Sequence, residues 1–212
     1  MKVQIKPGFI FPTQFWTAEL NENIKQLQNE AYLIRKNDKD GVRKSNSGSN
    51  GYHSKDIRDL DNLPGTNQLL KQIINAVNAI HRISRKGDLQ LTNFWINISG
   101  KGSSNTPHTH SGLTYSGVFF IRVPKEMKGG RFLFYRNFNE ADFISTEYMG
   151  HFKEGYQMQG YDYPINTVSP KENMLIVFPA WVPHAVEINL SDEERISLSF
   201  NFKLIRSFNK VN

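Results

Sequence analysis

Near the C-terminal end, the run Arg195-Ile-Ser-Leu-Ser-Phe-Asn-Phe202 alternates without a break. Ile196, Leu198, Phe200 and Phe202 fall on one side, and Arg195, Ser197, Ser199 and Asn201 on the other. Successive side chains of an extended backbone point to opposite faces, so the pattern predicts a strand with one dry face and one polar face. The dry face needs apolar cover. The polar face carries an arginine, and a guanidinium turned inward is costly unless an anion meets it. Arg195 and Ser197, two positions apart, would then form a two-point clamp for a carboxylate.

Two amphipathic segments can supply the cover. Asn21 is placed to cap a helix running to about Lys36, with Ile24, Leu27, Ala31 and Ile34 on one side. A second helix follows Pro64-Gly65, with Thr66 as its expected cap, an apolar stripe through Leu69, Leu70, Ile73, Ile74, Val77 and Ile80, and an end near Lys86-Gly87. Ahead of them, residues 9–16 are aromatic and β-prone, and Pro12 confines such a strand to a sheet edge. Residues 37–54 turn to Asn, Asp, Gly, Ser and Lys and are expected to form a long surface loop or flap.

Beyond Gly87 the character changes. Residues 89–99, 115–123, 131–135, 174–178, 185–188 and 195–205 are rich in β-branched and aromatic side chains, with Gly, Pro and Asn between them. The expected fold is mostly β, an antiparallel sandwich or barrel with N-terminal helices packed on its major sheet. One domain suffices for 212 residues: 1–87 as helical and strand cover, 88–206 as the β core.

Zero cysteines exclude disulfides and thiolate chemistry, leaving imidazole, carboxylate and hydroxyl groups. Of the six histidines, His108 and His110 in T-P-H-T-H-S-G would share one side of an extended backbone, a geometry in which two imidazoles can grip one metal. His184, in F-P-A-W-V-P-H-A-V, is the best third ligand. His53 in the polar loop and His81 near a helix end are expected to be structural or solvated, and His151 lies in an irregular aromatic segment. The net charge of +6 is spread along the chain, which suits a solvated surface and would help attract a small dianion. The N-terminal stretch lacks an apolar signal core, and no segment approaches the roughly 20 apolar residues that span a bilayer, so a cytoplasmic location without membrane contact is expected.

With these residues in place, the sequence resembles the 2-oxoglutarate- and iron(II)-dependent oxygenases related to prolyl 4-hydroxylases. The resemblance runs through F-P-T near Phe11, K-S-N-S-G-S-N-G-Y-H-S (44–54), W-I-N (95–97), H-T-H, S-G-V-F-F (116–120), G-G-R-F-L-F, V-F-P-A-W-V-P-H and E-R-I-S-L-S-F-N. It implies a double-stranded β-helix, a jelly roll of the cupin-like kind, with His108 and His184 as iron ligands. It also implies that Arg195 pairs with the distal carboxylate of 2-oxoglutarate, Ser197 matching the serine of an R-x-S pattern and Asn97 joining the cosubstrate pocket. The usual ligand triad is H-x-D/E plus a distant His, whereas His110 occupies the carboxylate position here. Three readings follow: a three-histidine iron face, completion by a carboxylate such as Glu140 or Asp142, or a site without oxygenase activity. The first is preferred, and a histidine there also fills the space a chloride ligand would need.

The implied reaction consumes O2 and 2-oxoglutarate, releases succinate and CO2, and hydroxylates a substrate that the sequence leaves open among peptides, nucleic acids and metabolites. Trp95, Tyr135 and Trp181 are candidates to line its pocket, and residues 139–166 are a candidate lid. Two rivals remain at this stage: a cupin-like metal protein that does not use 2-oxoglutarate, and a barrel that binds nucleic acid or another partner through its charge and aromatics.

Overall fold

The structure is a computed structural model and describes residues 13–38, 41, 46–47, 50–136 and 165–205. Its elements in chain order are β1 (Trp16–Glu19), α1 (Ile24–Asn37), β2 (Asn46–Ser47), β3 (Gly51–His53), α2 (Pro64–Ser84), β4 (Asp88–Ser99), β5 (Ser104–His108) and β6 (Tyr115–Arg122). There follow β7 (Phe132–Tyr135), β8 (Ile165–Val168), β9 (Met174–Pro179), β10 (His184–Val186) and β11 (Arg195–Ile205). A six-stranded sheet in the order β1-β9-β6-β11-β4-β3 faces a five-stranded sheet in the order β2-β5-β10-β7-β8, with antiparallel pairing throughout. This is the expected double-stranded β-helix with two helices over the larger sheet.

The alternation in β11 organises both layers. Ile196, Leu198, Phe200 and Phe202 are fully buried against Leu69, Ile73 and Val77 of α2 and Leu27 and Ala31 of α1. Burial of each large apolar side chain stabilises by about 1.5–3 kcal/mol, so this contact fixes the helices on the sheet. Strand β6 is apolar on both faces: Tyr115, Phe119 and Ile121 join that outer core, while Val118 and Phe120 point between the sheets with Phe132, Phe134, Ile176 and Phe178. Gly117 is required at its position, because a Cβ there would lie 2.3 Å from the Phe200 ring and 2.5 Å from the Ile176 carbonyl oxygen.

Several boundaries differ from expectation. The first strand begins at Trp16, and residues 9–12 lie outside the described set. Helix α1 is capped by Asn23, whose side chain accepts from the Gln26 amide at 3.2 Å, so Asn21 is not the cap. Thr66 does not cap α2 either. Pro64 occupies the first turn, and Glu30 of α1 reaches across to accept from the Gly65 and Thr66 amides at 2.8 and 2.7 Å. A carboxylate at a helix N-terminus meets both its unpaired amides and its positive dipole end, and here tertiary packing supplies it. The surface loop expected over 37–54 contains β2 and β3, and β3 extends the larger sheet beside β4. Strands β5 and β8 fall outside the strand-rich runs of the sequence, since S-N-T-P-H is mostly polar and I-N-T-V is only four residues long.

Candidate active site

Between the sheets lies a cavity of about 430 Å³. Its walls include β4, β5, β10 and the polar face of β11, with His108, His110, His184, Arg195, Ser197 and Asn97 all lining it. The site residues expected from sequence therefore share one chamber.

The histidines converge by strand pairing and a loop. His108, the last residue of β5, lies directly opposite His184, the first of β10, with ring centroids 4.3 Å apart. His110 is not on the same strand, as the sequence spacing suggested; β5 stops at His108, and His110 is held because its amide donates to the Ala180 carbonyl at 2.9 Å. One nitrogen from each of the three rings falls within a group whose members are all within 4.8 Å of one another.

Neighbouring carbonyls set the tautomers. The Nδ1 atoms of His108 and His184 lie 2.8 Å from the Thr106 oxygen and 2.9 Å from the Val182 oxygen. A carbonyl oxygen only accepts, so each Nδ1 carries the hydrogen and leaves the Nε2 lone pair for a metal. The Nε2 atoms of His110 and His184 are 3.3 Å apart. Two nitrogens bound at right angles to one ion, each about 2.1 Å away, would be separated by about 3 Å. This geometry suits the donor set of a first-row divalent ion.

Burial keeps His110 and His184 neutral. His184 is wedged between Phe132 and Phe178, and burial, aided by His108, pushes its pKa down to about 3 from an ordinary 6.5. Burial and then His108 lower His110 to about 4. Because the fold favours the neutral forms, the unfolded chain takes up more protons below pH 6.5. The stabilisation is fully present above pH 6.5 and lost as pH falls toward the folded values. The melting temperature of metal-free protein is expected to decline between about pH 6.5 and 5, above the range where most carboxylates titrate. Thermal melts across that interval check this, and a flat profile would contradict it.

At the other end of the β11 face, Arg195 is 4% exposed and has no carboxylate partner among the described residues. Its Nη1 donates to the Gly130 carbonyl at 2.8 Å, its guanidinium sits over the Phe120 ring, and its buried Nε has no hydrogen-bond partner. Burial pulls its pKa down to about 10. An unpaired guanidinium with an orphaned donor facing a cavity is a receptor for an anion. Ser197 is buried beside it on the same face. Asn97 lies opposite Ser197 in the strand register and donates to the Ser199 hydroxyl at 3.0 Å.

A sequence profile for the family described as "Putative 2OG-Fe(II) oxygenase" matches residues 93–201, just over half of the chain and nearly all of this chamber. The chain belongs to that family. The oxygenase accordingly uses iron(II) and 2-oxoglutarate, and its histidine cluster and buried guanidinium fit those two groups. Solved structures agree on the fold. A Pseudomonas putida prolyl-4-hydroxylase is 16% identical, with 92% of this chain and 94% of that one covered and a TM-score of 0.60. A viral collagen prolyl hydroxylase from Paramecium Bursaria Chlorella virus-1 in its 2OG complex is 10% identical over 90% and 96% of the chains, with a TM-score of 0.58. HygX from Streptomyces hygroscopicus, with nickel and 2-oxoglutarate bound, is 13% identical over 92% and 84%, with a TM-score of 0.58. No curated protein matches the sequence.

The remaining candidates divide. Trp95 lines the cavity, while Trp181 is exposed. His53, expected in a solvated loop, lies on β3, stacks on Trp95 at 5.3 Å and lines the cavity. His81 is buried on α2, edge-on to Tyr115 and away from the cavity lining. Glu140, Asp142, His151 and nearly all of the expected lid lie outside the described residues. Asn93, Asn201, Ser116 and Asp56 line the chamber without having been singled out. Asn93 and Asn201 were visible as polar positions of alternating strands, but Asp56 had no signal because only the fold brings it to β4.

No helix among the described residues is long and apolar enough to cross a membrane.

Proposed function

We propose that His108, His110 and His184 hold iron(II) through three imidazoles, and that Arg195 and Ser197 bind the distal carboxylate of 2-oxoglutarate, with Asn97 steadying the adjoining wall. On this reading the enzyme hydroxylates its substrate, works in the cytoplasm, and uses residues 1–212 as one oxygenase domain with 1–87 covering the β core of 88–206. The observation that carries the proposal is a single chamber holding three converging imidazoles and a buried guanidinium that lacks a counter-ion among the described residues.

Iron supplies O2 activation coupled to oxidative decarboxylation of the cosubstrate when both are bound. The chain's own residues contribute orientation and exclusion. The Thr106 and Val182 carbonyls hold the Nδ1 hydrogens of two imidazoles and so turn their Nε2 atoms to the metal position. Arg195 neutralises the far carboxylate and sets the direction in which the cosubstrate lies. Phe120, Phe132 and Phe178 line the chamber with apolar surface and limit water near the ligands.

Two measurements test this. Iron-loaded protein is expected to convert 2-oxoglutarate to succinate under O2; absence of both turnover and cosubstrate binding would refute the assignment. His110→Asp is expected to keep or strengthen iron binding, since aspartate restores the usual triad, whereas His110→Leu should weaken it at least about tenfold. Equal iron affinity in all three proteins would remove His110 from the coordination sphere.

A further inference from the structure

The cavity floor is formed by β4 and β11, paired so that Arg195 faces Ser99, Ser197 faces Asn97, Ser199 faces Trp95 and Asn201 faces Asn93. From Arg195 to Asn201 is six residues, about 20 Å of strand. A five-carbon dicarboxylate anchored on Arg195 covers only part of that length. The far end has a different chemistry. The Ser116 hydroxyl donates to Asn201 Oδ1 at 2.7 Å, Asn201 Nδ2 donates to Asn93 Oδ1 at 3.0 Å, and Asn93 Nδ2 donates to Asp56 Oδ1 at 3.2 Å. All four residues line the chamber.

One carboxylate orients this whole chain. An ionised Asp56 can only accept, so Asn93 must turn its amide nitrogen toward it and its oxygen toward Asn201. Asn201 must then present nitrogen to Asn93 and oxygen to Ser116. Ser116 has spent its only hydrogen and keeps lone pairs alone. Each asparagine retains one N–H, and Asp56 retains its second oxygen. The relay therefore offers the cavity acceptors at its two ends and amide donors between them. Charge points the same way. Asp56 is the only carboxylate and Arg195 the only guanidinium or ammonium lining the chamber among the described residues, and they belong to opposite ends of it. The protein's overall +6 would draw in anions of any kind, whereas the exposed carboxylate of Asp56 disfavours them at its own end of the chamber.

We propose that the Ser116-Asn201-Asn93-Asp56 relay is the substrate-recognition edge of the chamber, and that it selects a neutral or cationic group carrying N–H donors, such as an amide or a protonated amine, and rejects carboxylates. This rests on the reading of the Arg195 end as the cosubstrate site. The relay is not merely a strand fastener, since β4 and β11 are already joined by their backbone ladder.

The test uses three probes of matched shape and different charge: benzamidine, benzamide and benzoate. Their affinities are measured by titration calorimetry and ligand-observed NMR on protein loaded with nickel(II) and 2-oxoglutarate, loading being verified beforehand by cosubstrate binding. Benzamidine and benzamide are expected to bind at least about tenfold more tightly than benzoate. Asp56→Asn is expected to abolish the advantage of benzamidine over benzamide and to leave 2-oxoglutarate affinity and melting temperature unchanged. Ser116→Ala should weaken both favoured probes. Comparable or tighter binding of benzoate, no binding by any probe, or an unchanged benzamidine preference in Asp56→Asn would overturn the proposal. If 2-oxoglutarate itself fails to bind, the proposed function falls. The same probe ranking is then sought on unloaded protein, where its absence counts equally against the relay.

Discussion

Replacing His184 with alanine is expected to lower iron affinity by well over about 100-fold, beyond the usual cost of losing a group that only supports a ligand. The reason is its central place in the site. His184 starts β10, pairs with His108 on one side and Phe134 on the other, and aims its Nε2 inward because its Nδ1 hydrogen is committed to the Val182 carbonyl. Iron titration of purified protein reads the effect, with succinate formation lost in parallel. Alanine also leaves a hole between Phe132 and Phe178, so the melting temperature of the metal-free variant must be measured beside it. His184→Gln, which keeps volume and polarity, separates the two effects: it should retain the fold and still lose the metal. Undiminished iron binding in a folded His184→Gln protein would place the metal elsewhere.

Arg195→Met is expected to weaken 2-oxoglutarate binding about 10- to 150-fold, the equivalent of about 1.5–3 kcal/mol for a lost charge-assisted contact. Iron affinity should be unchanged, since Arg195 is not among the converging imidazoles. Stability supplies a second readout with the opposite sign. Without cosubstrate, the guanidinium is buried with an orphaned Nε and no carboxylate partner among the described residues, so its replacement by an apolar side chain of similar length should leave the unloaded protein as stable or more so. Wild-type protein should gain thermal stability on addition of 2-oxoglutarate, and the variant should gain little at the same concentration. A variant that keeps its 2-oxoglutarate-induced shift would show that another group holds the distal carboxylate.

These two residues also show how different parts of the site became legible. Arg195 could be read directly, because an arginine on the polar side of an unbroken β alternation must face either solvent or a chamber, and the two amphipathic helices already claimed the other face. His108 and His184 could be proposed from residue type and context. His110 was not legible in the same way: period-2 spacing would place it on one strand with His108, whereas the Ala180 carbonyl turns its loop inward. Similarly, α2 was legible from its apolar stripe, but its N-terminal partner was not, since Glu30 lies 35 positions before Gly65. The relay had no signature as a unit, because Asn93 and Asn201 show only as polar strand positions and Asp56 reaches Asn93 only through the fold.

The sequence by itself determined the strand alternation, the two covered faces, the absence of thiol chemistry and the set of histidines available to a metal. These depend on residue type and on near-neighbour periodicity, which act within a few positions. Only the tertiary structure decided that His108 stands opposite His184, that Glu30 caps α2, and that Asp56 orients Asn93 and Asn201. Each of those depends on register between segments distant in the chain, and register is set by how the whole apolar surface packs.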